Sequence, residues 1–355
     1  MKRRQFIALG AALALPDARA DVAYPDVVAG VALAFPRDDG AHPTFRNEWW
    51  YVTGWLRDAQ DRDVGFQVTF FRNRPGVAEA STSAFAPRQL LFAHAAIADP
   101  AVGHLIVDEL AAREGLGLAY ADIGHANVSI GRWSFAQRDD TFTTRVQARD
   151  FALALTLAGT QPPLLQGDRG VSRKGPEVTD ASYYYSRPQL RVRGTLAHGG
   201  DMRDVTGVAW FDHEWSSRYL TGGAVGWDWT GLDFDDGAAL MAFRIRDRAG
   251  RTLWAGGTYR DDAGNVRTFA PDDIAFVAQR HWRSPRTQIE YPVAFTLRAG
   301  TLSLALEPLM ADQELDARGA IGVVYWEGAV RASSGGRVVA RGYVELTGYG
   351  EPLRI

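Results

Sequence analysis

From Phe151 to Leu157 the chain alternates without a break. Phe151, Leu153, Leu155 and Leu157 fall on one side, and Ala152, Ala154 and Thr156 on the other. A period of two is the mark of a strand with one buried face. The pattern recurs in short runs along the chain, as in Phe66, Val68 and Phe70, while a helical period is almost absent. Between the runs stand turn residues: Arg138-Asp139-Asp140, Asp235-Asp236-Gly237, Asp247-Arg248-Ala249-Gly250 and Asp261-Asp262-Ala263-Gly264-Asn265. Such a chain can only be all-β. Sequential hairpins that bury one face favour antiparallel barrels, which remove sheet edges by closing. About 335 residues follow Ala20, more than one core usually holds, so two β-domains are predicted, over 21–217 and 218–355.

One stretch breaks the rhythm. Residues 160–188 carry Pro162-Pro163, Gly167, Gly170, Gly175-Pro176 and the run Tyr183-Tyr184-Tyr185, with little periodicity. They read as a long ordered loop packed over the domain junction, with Arg173 or Lys174 reaching a carboxylate.

The ends and the composition exclude several classes of function. Met1-Lys2-Arg3-Arg4-Gln5-Phe6, an apolar run to Leu15 and Ala18-Arg19-Ala20 read as a twin-arginine export signal over 1–20. The apolar run is too short to span a bilayer, so a periplasmic or secreted protein without a stable membrane anchor is expected. The chain has no Cys, which removes disulfides and thiolate chemistry. A net charge of −3 with mixed signs offers no face for nucleic acid. No cofactor fingerprint is present, and the scattered His residues show no ligand spacing, so neither cofactor nor metal is expected. Gly170-Val171-Ser172-Arg173-Lys174-Gly175 is not a nucleophile elbow, and serine hydrolase chemistry has no support. The 11 Trp, 12 Tyr and 17 Phe suit large β-cores or an aromatic-lined cavity for an apolar ligand.

Three knots of acids and aromatics stand out: Asn47-Glu48-Trp49-Trp50-Tyr51, Phe211-Asp212-His213-Glu214-Trp215 and Gly226-Trp227-Asp228-Trp229. In the central knot, strand alternation puts Asp212 and Glu214 on one face and Phe211, His213 and Trp215 on the other. Each half opens with a Trp-rich strand and returns through a strand ending in Phe and Arg, at Phe70-Phe71-Arg72 and Phe243-Arg244-Ile245-Arg246.

Together with Ser172-Arg173-Lys174-Gly175, Asp312-Gln313-Glu314-Leu315, Tyr325-Trp326-Glu327-Gly328 and Gly342-Tyr343-Val344-Glu345, these knots resemble a known family in order along nearly the whole chain. It is the secreted lipocalin-like group of AttH-type proteins, related to carotenoid 1,2-hydratase of the CrtC family. The resemblance implies two lipocalin-like β-barrels in tandem and partnership with an ABC-type transport system. The hydratase relatives add water across a C=C bond without a cofactor, through a His-x-Trp motif matched by His213 and Trp215. They also carry an acid on the strand after the Trp-x-Trp motif, where this chain has Ala239-Leu240-Met241-Ala242-Phe243.

Two functions are compatible with these residues. The aromatic load, the missing cofactor motif and the missing acid favour a binder of an apolar, lipid- or isoprenoid-like molecule, contacted by Trp49, Trp50, Tyr51, Tyr184, Trp215, Trp227 and Trp229. The clustered acids favour the alternative, hydration or isomerisation of an isoprenoid C=C. A carboxyl buried against Trp keeps its proton near neutral pH, and Trp faces stabilise the cation that protonation creates. Asp212, Glu214, Glu48 and His213 are the candidate catalytic residues. The same acids could instead be clamps paired with Arg72, Arg173 or Arg187. Three carboxylates among so many Trp side chains must each pair, protonate or face water, because an isolated buried charge is costly.

Overall fold

A computed structural model describes residues 22–319 and 322–353. The export signal read from residues 1–20 lies outside the described residues. Helix is confined, among the described residues, to two single turns, Arg37–Asp39 and Pro271–Asp273. None is long and apolar enough to cross a membrane. The all-β expectation holds: the strands form two large antiparallel sheets, one nearly closed into a barrel.

Among the described residues thirteen strands make the first sheet, centred on Asp63–Asn73, Asn47–Asp58, Asp201–Arg218 and Ala181–His198, in that spatial order. Ten make the second, centred on Ala239–Arg246, Gly226–Phe234, Arg337–Leu346 and Val323–Ser334. Each sheet wraps its own apolar core, one around Phe66, Trp133, Phe142 and Phe211, the other around Leu240, Phe295, Leu304 and Val344. A third cluster joins them, with Tyr51, Trp55, Tyr184 and Trp210 from the first half and Trp229, Met241, Phe243 and Tyr343 from the second.

That junction is tight. Trp55 donates from Nε1 to the Gly342 carbonyl at 3.0 Å. A Cβ on Gly65 would stand 2.6 Å from Tyr343 Oη and 2.7 Å from Ala329 Cβ, so the backbone approach there needs glycine.

The long loop read over 160–188 is corrected in part. Leu164–Leu165 and Val171–Arg173 are short strands, and from Ala181 onward the chain runs as an 18-residue strand to His198. The sequence conceals this strand because residues 181–188 are buried on both faces, which erases the alternation. Pro188 lacks an N–H, and the ladder shifts register between Arg187 and Leu190. Gln189 there takes φ +60°. Its backbone N–H donates to Asp233 Oδ1 at 2.7 Å and its side chain to the Phe234 and Ala238 carbonyls. The bulge thus fastens the first sheet to the second.

The likeness of the two halves has a counterpart in charge. Arg72 bonds Glu48 at 2.7 Å, and Arg244 bonds Asp228 at 2.6 Å. In both cases an acid of the opening Trp-rich strand meets the Arg directly across from it on the return strand.

Candidate active site

A cavity of about 440 Å³ lies between the two sheets, within the range of small-molecule sites. Its lining is mostly aromatic, with Trp49, Tyr51, Tyr184, Trp227, Trp229 and Phe243 among the contributors. Strand alternation decides which knot residues reach it. Trp49 and Tyr51 line the cavity, while Trp50 turns into the first core and donates from Nε1 to the Asp39 carbonyl at 3.0 Å. Asp212 and Glu214 line the cavity, while Phe211, His213 and Trp215 belong to the barrel interior. Trp215 stacks on His42 at 3.7 Å and borders a separate cleft with Tyr183 and Phe45. The tyrosine run splits the same way. Tyr184 faces the cavity, whereas Tyr183 bonds Val28 and Tyr185 bonds Asp39 and His213.

Glu48 borders the cavity, but its carboxylate is fully engaged. It accepts from Arg72 Nε at 2.7 Å and from the His42 backbone N–H at 2.9 Å, and both His42 Nδ1 (2.8 Å) and His213 Nε2 (2.9 Å) reach Oε1. Burial opposes the anion, yet the Arg72 guanidinium and the two histidines hold this carboxyl well below its usual range. Arg72 donates further to Gln89 and to the His42 and Phe45 carbonyls. Asp39 forms a second closed knot with Arg187, Tyr185 and Gln137. Sequence reasoning missed His42, Asp38 and Asp39, because they sit in an irregular lead-in with no period to single them out. His42, Glu48 and His213 could in principle offer three ligand atoms to a metal, all within 4.8 Å of one another. As placed, those atoms are joined by hydrogen bonds and the second oxygen is taken by Arg72.

The acids facing the cavity differ in kind. Glu214 has a cation: Lys174 Nζ lies 2.8 Å away, as expected of the Arg173-Lys174 pair. Asp212 has none. Ser186 Oγ (2.5 Å) and Trp210 Nε1 (2.6 Å) reach its Oδ1, and Tyr184 Oη reaches Oδ2 at 2.7 Å. Burial pushes its carboxyl up to about 7, the three hydrogen bonds opposing and the Glu214 charge adding to the rise. Tyr184 Oη also accepts from Trp229 Nε1 of the second half, at 3.0 Å. Tyr184 therefore bridges Asp212 and the far wall.

Two further acids line that far wall, Glu327 and Glu345. They face each other across the ladder of Val323–Ser334 and Arg337–Leu346. Glu345 accepts from Trp227 Nε1 at 2.8 Å, and burial raises it to about 7, with the Glu214 charge adding. Glu327 is 1% exposed, and neither of its oxygens has a hydrogen-bond partner among the described residues. Burial first and the Glu345 charge second push it well above the usual range, with the Tyr51 and Tyr325 hydroxyls working the other way. The sequence reading quoted both acids without assigning them a role. The available signal was the hairpin turn Gly335-Gly336, but a two-residue turn there sets Glu327 opposite Val344. The register shift between Ala332 and Ser333 moves the ladder by one, bringing Glu345 opposite Glu327 and onto the same face.

The raised acids make stability fall as pH rises. A carboxyl whose folded value lies above its unfolded one contributes fully below the unfolded value, and loses that contribution as pH climbs through the folded one. For Asp212 the window runs from 3.8 to about 7. His42, pulled down by burial but raised on balance by Glu48 and Asp38, acts in the same direction, while the buried His213 and His94, the latter lowered to about 3, act in the opposite one and are outweighed by the several raised acids. We expect a higher calorimetric unfolding midpoint at pH 5 than at pH 8, and a flatter dependence in Asp212→Asn, by a few kcal/mol at about 1.4 kcal/mol per pH unit. An unchanged slope in that variant would contradict the assignment.

The AttH-like family model matches residues 26–349. This chain belongs to that family. The crystal structure of an AttH-type protein from Nitrosomonas europaea is 49% identical, with a TM-score of 0.86, over 92% of this chain and 99% of that one. Kievitone hydratase from Nectria haematococca shares the fold at 13% identity, with a TM-score of 0.70 over 92% and 95% of the two chains. CghA with Sch210972 does so at 16% identity, with a TM-score of 0.54 over 87% and 90%. No curated protein sequence matches the chain. The AttH-like chain is thus lipocalin-like in architecture, with a hydratase among its structural neighbours.

Proposed function

We propose that this AttH-like protein takes an apolar, isoprenoid- or polyketide-like molecule into the interdomain cavity and protonates a C=C bond there, leading to hydration or isomerisation without a cofactor. The observation that carries the reading is Asp212: a buried carboxyl with no cation beside it among the described residues, in an aromatic cavity, its carboxyl pushed up to about 7. A proton on Oδ2 turns the bond to Tyr184 around, so that Asp212 donates to Tyr184 and the phenol proton is presented to the cavity. Transfer forms a C–H bond from the alkene π pair and leaves positive charge on the neighbouring carbon, among the faces of Trp49, Trp227 and Trp229. Water then adds to that carbon, giving the alcohol, or a C–H beside it loses its proton and its pair forms the new C=C of an isomer; in either case the surplus proton returns to Asp212. The missing acid on the strand Ala239–Arg246 is no obstacle to this route, because its acid, Asp212, comes from the strand Asp201–Arg218. The hydratase among the fold neighbours supports the reaction class. Binding of an apolar molecule without chemistry is the second reading, favoured by the aromatic lining alone.

The test is incubation in D2O with a panel of acyclic isoprenoids, followed by mass spectrometry. Deuterium in recovered or hydrated product selects the catalytic reading. Ligands that bind and return unlabelled select the binder.

A further inference from the structure

Glu327 and Glu345 have no place in the proton transfer just described, yet they are the most exceptional groups in the cavity. Among the described residues two cations line it, and both are taken: Arg72 by Glu48 and Lys174 by Glu214. Directly paired cross-strand residues project from the same face, with Cβ atoms about 5 Å apart. Two anions cannot sit so close in an apolar setting without a cation. Glu327 lines the cavity, and neither its buried oxygens nor Tyr51 Oη meets a partner in hydrogen-bond geometry among the described residues, although the Tyr51 and Tyr325 hydroxyls lie close enough to act on its charge. Trp229 neighbours Glu345 in the adjoining ladder and ties this wall to Tyr184 and Asp212 through its Nε1.

Building on the proposed protonation, we infer that Glu327 and Glu345 hold one proton between them, and that their single remaining negative charge faces the carbocation formed on the substrate. The wall that protonates and the wall that stabilises the cation thus belong to different sheets, with the substrate between them. A neutral pair would add only polarity, whereas a doubly ionised pair has no cation to support it. One shared proton leaves an anion where positive charge develops, and an attraction that is stronger in the intermediate than in the substrate speeds the step. The substrate class follows: an alkene branched at the carbon that becomes cationic, with an apolar body against Phe243 and the Trp faces.

A protonated tertiary amine is a stable mimic of such a cation. The experiment compares N,N-dimethylgeranylamine with its hydrocarbon isostere, in which CH replaces N–H⁺, by quenching of tryptophan fluorescence at pH 7. The wild-type protein is expected to bind the amine about tenfold or more tighter than the isostere. In Glu327→Gln/Glu345→Gln the preference should fall to within about twofold, as expected when the charge is gone and shape is kept. Should the double variant not fold, Glu345→Gln carries the test: it leaves Glu327 buried, alone and neutral, and the preference should fall in the same way. An amine preference that survives these substitutions overturns the inference. Binding of the isostere with no gain for the amine also overturns it, while leaving the apolar cavity reading in place. If neither probe binds, both fall together.

Discussion

Arg72→Met is expected to cost the fold about 3–5 kcal/mol, the loss typical of removing one partner from a buried ion pair. Arg72 is 2% exposed, and its guanidinium bonds Glu48, Gln89 and two carbonyls at once. Taking it away strands a carboxylate that is itself wholly buried, with only imidazole and backbone N–H groups left to hold it. The strand Asn47–Asp58 that carries Glu48 also carries Trp49 and Tyr51 into the cavity, so the damage should reach ligand binding as well as stability. Urea unfolding measures the cost. Arg72→Met combined with Glu48→Gln should recover part of it, because the stranded charge is gone. A single variant within about 1 kcal/mol of wild type would show that Glu48 is not held as an anion by this guanidinium.

The sequence made some of this arrangement readable, and the reasons are local. Alternation separated Asp212 and Glu214 from His213 and Trp215 correctly, because that strand pairs with Asn47–Asp58 without a register break through the knot. The same rule divides Trp49 and Tyr51 from Trp50. Grouping all the aromatic neighbours of the acids as one ligand surface ignored it, and Trp50 and Trp215 accordingly lie on the far side of the strands from the cavity. The tyrosine run was seen as packed and ordered but not as strand, since a segment buried on both faces shows no period. Glu327 and Glu345 were out of reach for a different reason. Their meeting depends on one extra residue in a hairpin, a feature without a residue signature here. A slip of one flips a side chain to the other face, and no local pattern fixes it. The lead-in with Asp38, Asp39 and His42 is irregular backbone whose role is set only by the strands it caps. Periodicity therefore located the first-sheet wall of the cavity, and only the three-dimensional register supplied the second.

Asp212→Asn is the change expected to separate chemistry from binding. Asparagine keeps the size of the side chain and can still accept from Ser186 and Trp210, and it is neutral, as Asp212 largely is below about pH 7. Apolar ligands should therefore bind within about twofold of wild type, by the same fluorescence quenching, as for a near-isosteric neutral replacement. Deuterium incorporation should fall by about 10²–10⁴-fold, the usual worth of a positioned general acid. Tyr184→Phe should lose activity too, because the phenol is the link between Asp212 and the cavity and its partner Trp229 Nε1 would be left without an acceptor. The pH profile adds a readout that a purely structural role would not move. Wild-type activity should decline above about pH 7 as Asp212 gives up its proton, and the residual activity of Asp212→Asn should lack that limb. Incorporation that stays within tenfold of wild type in Asp212→Asn would remove Asp212 as the acid and leave the cavity with the binding role alone.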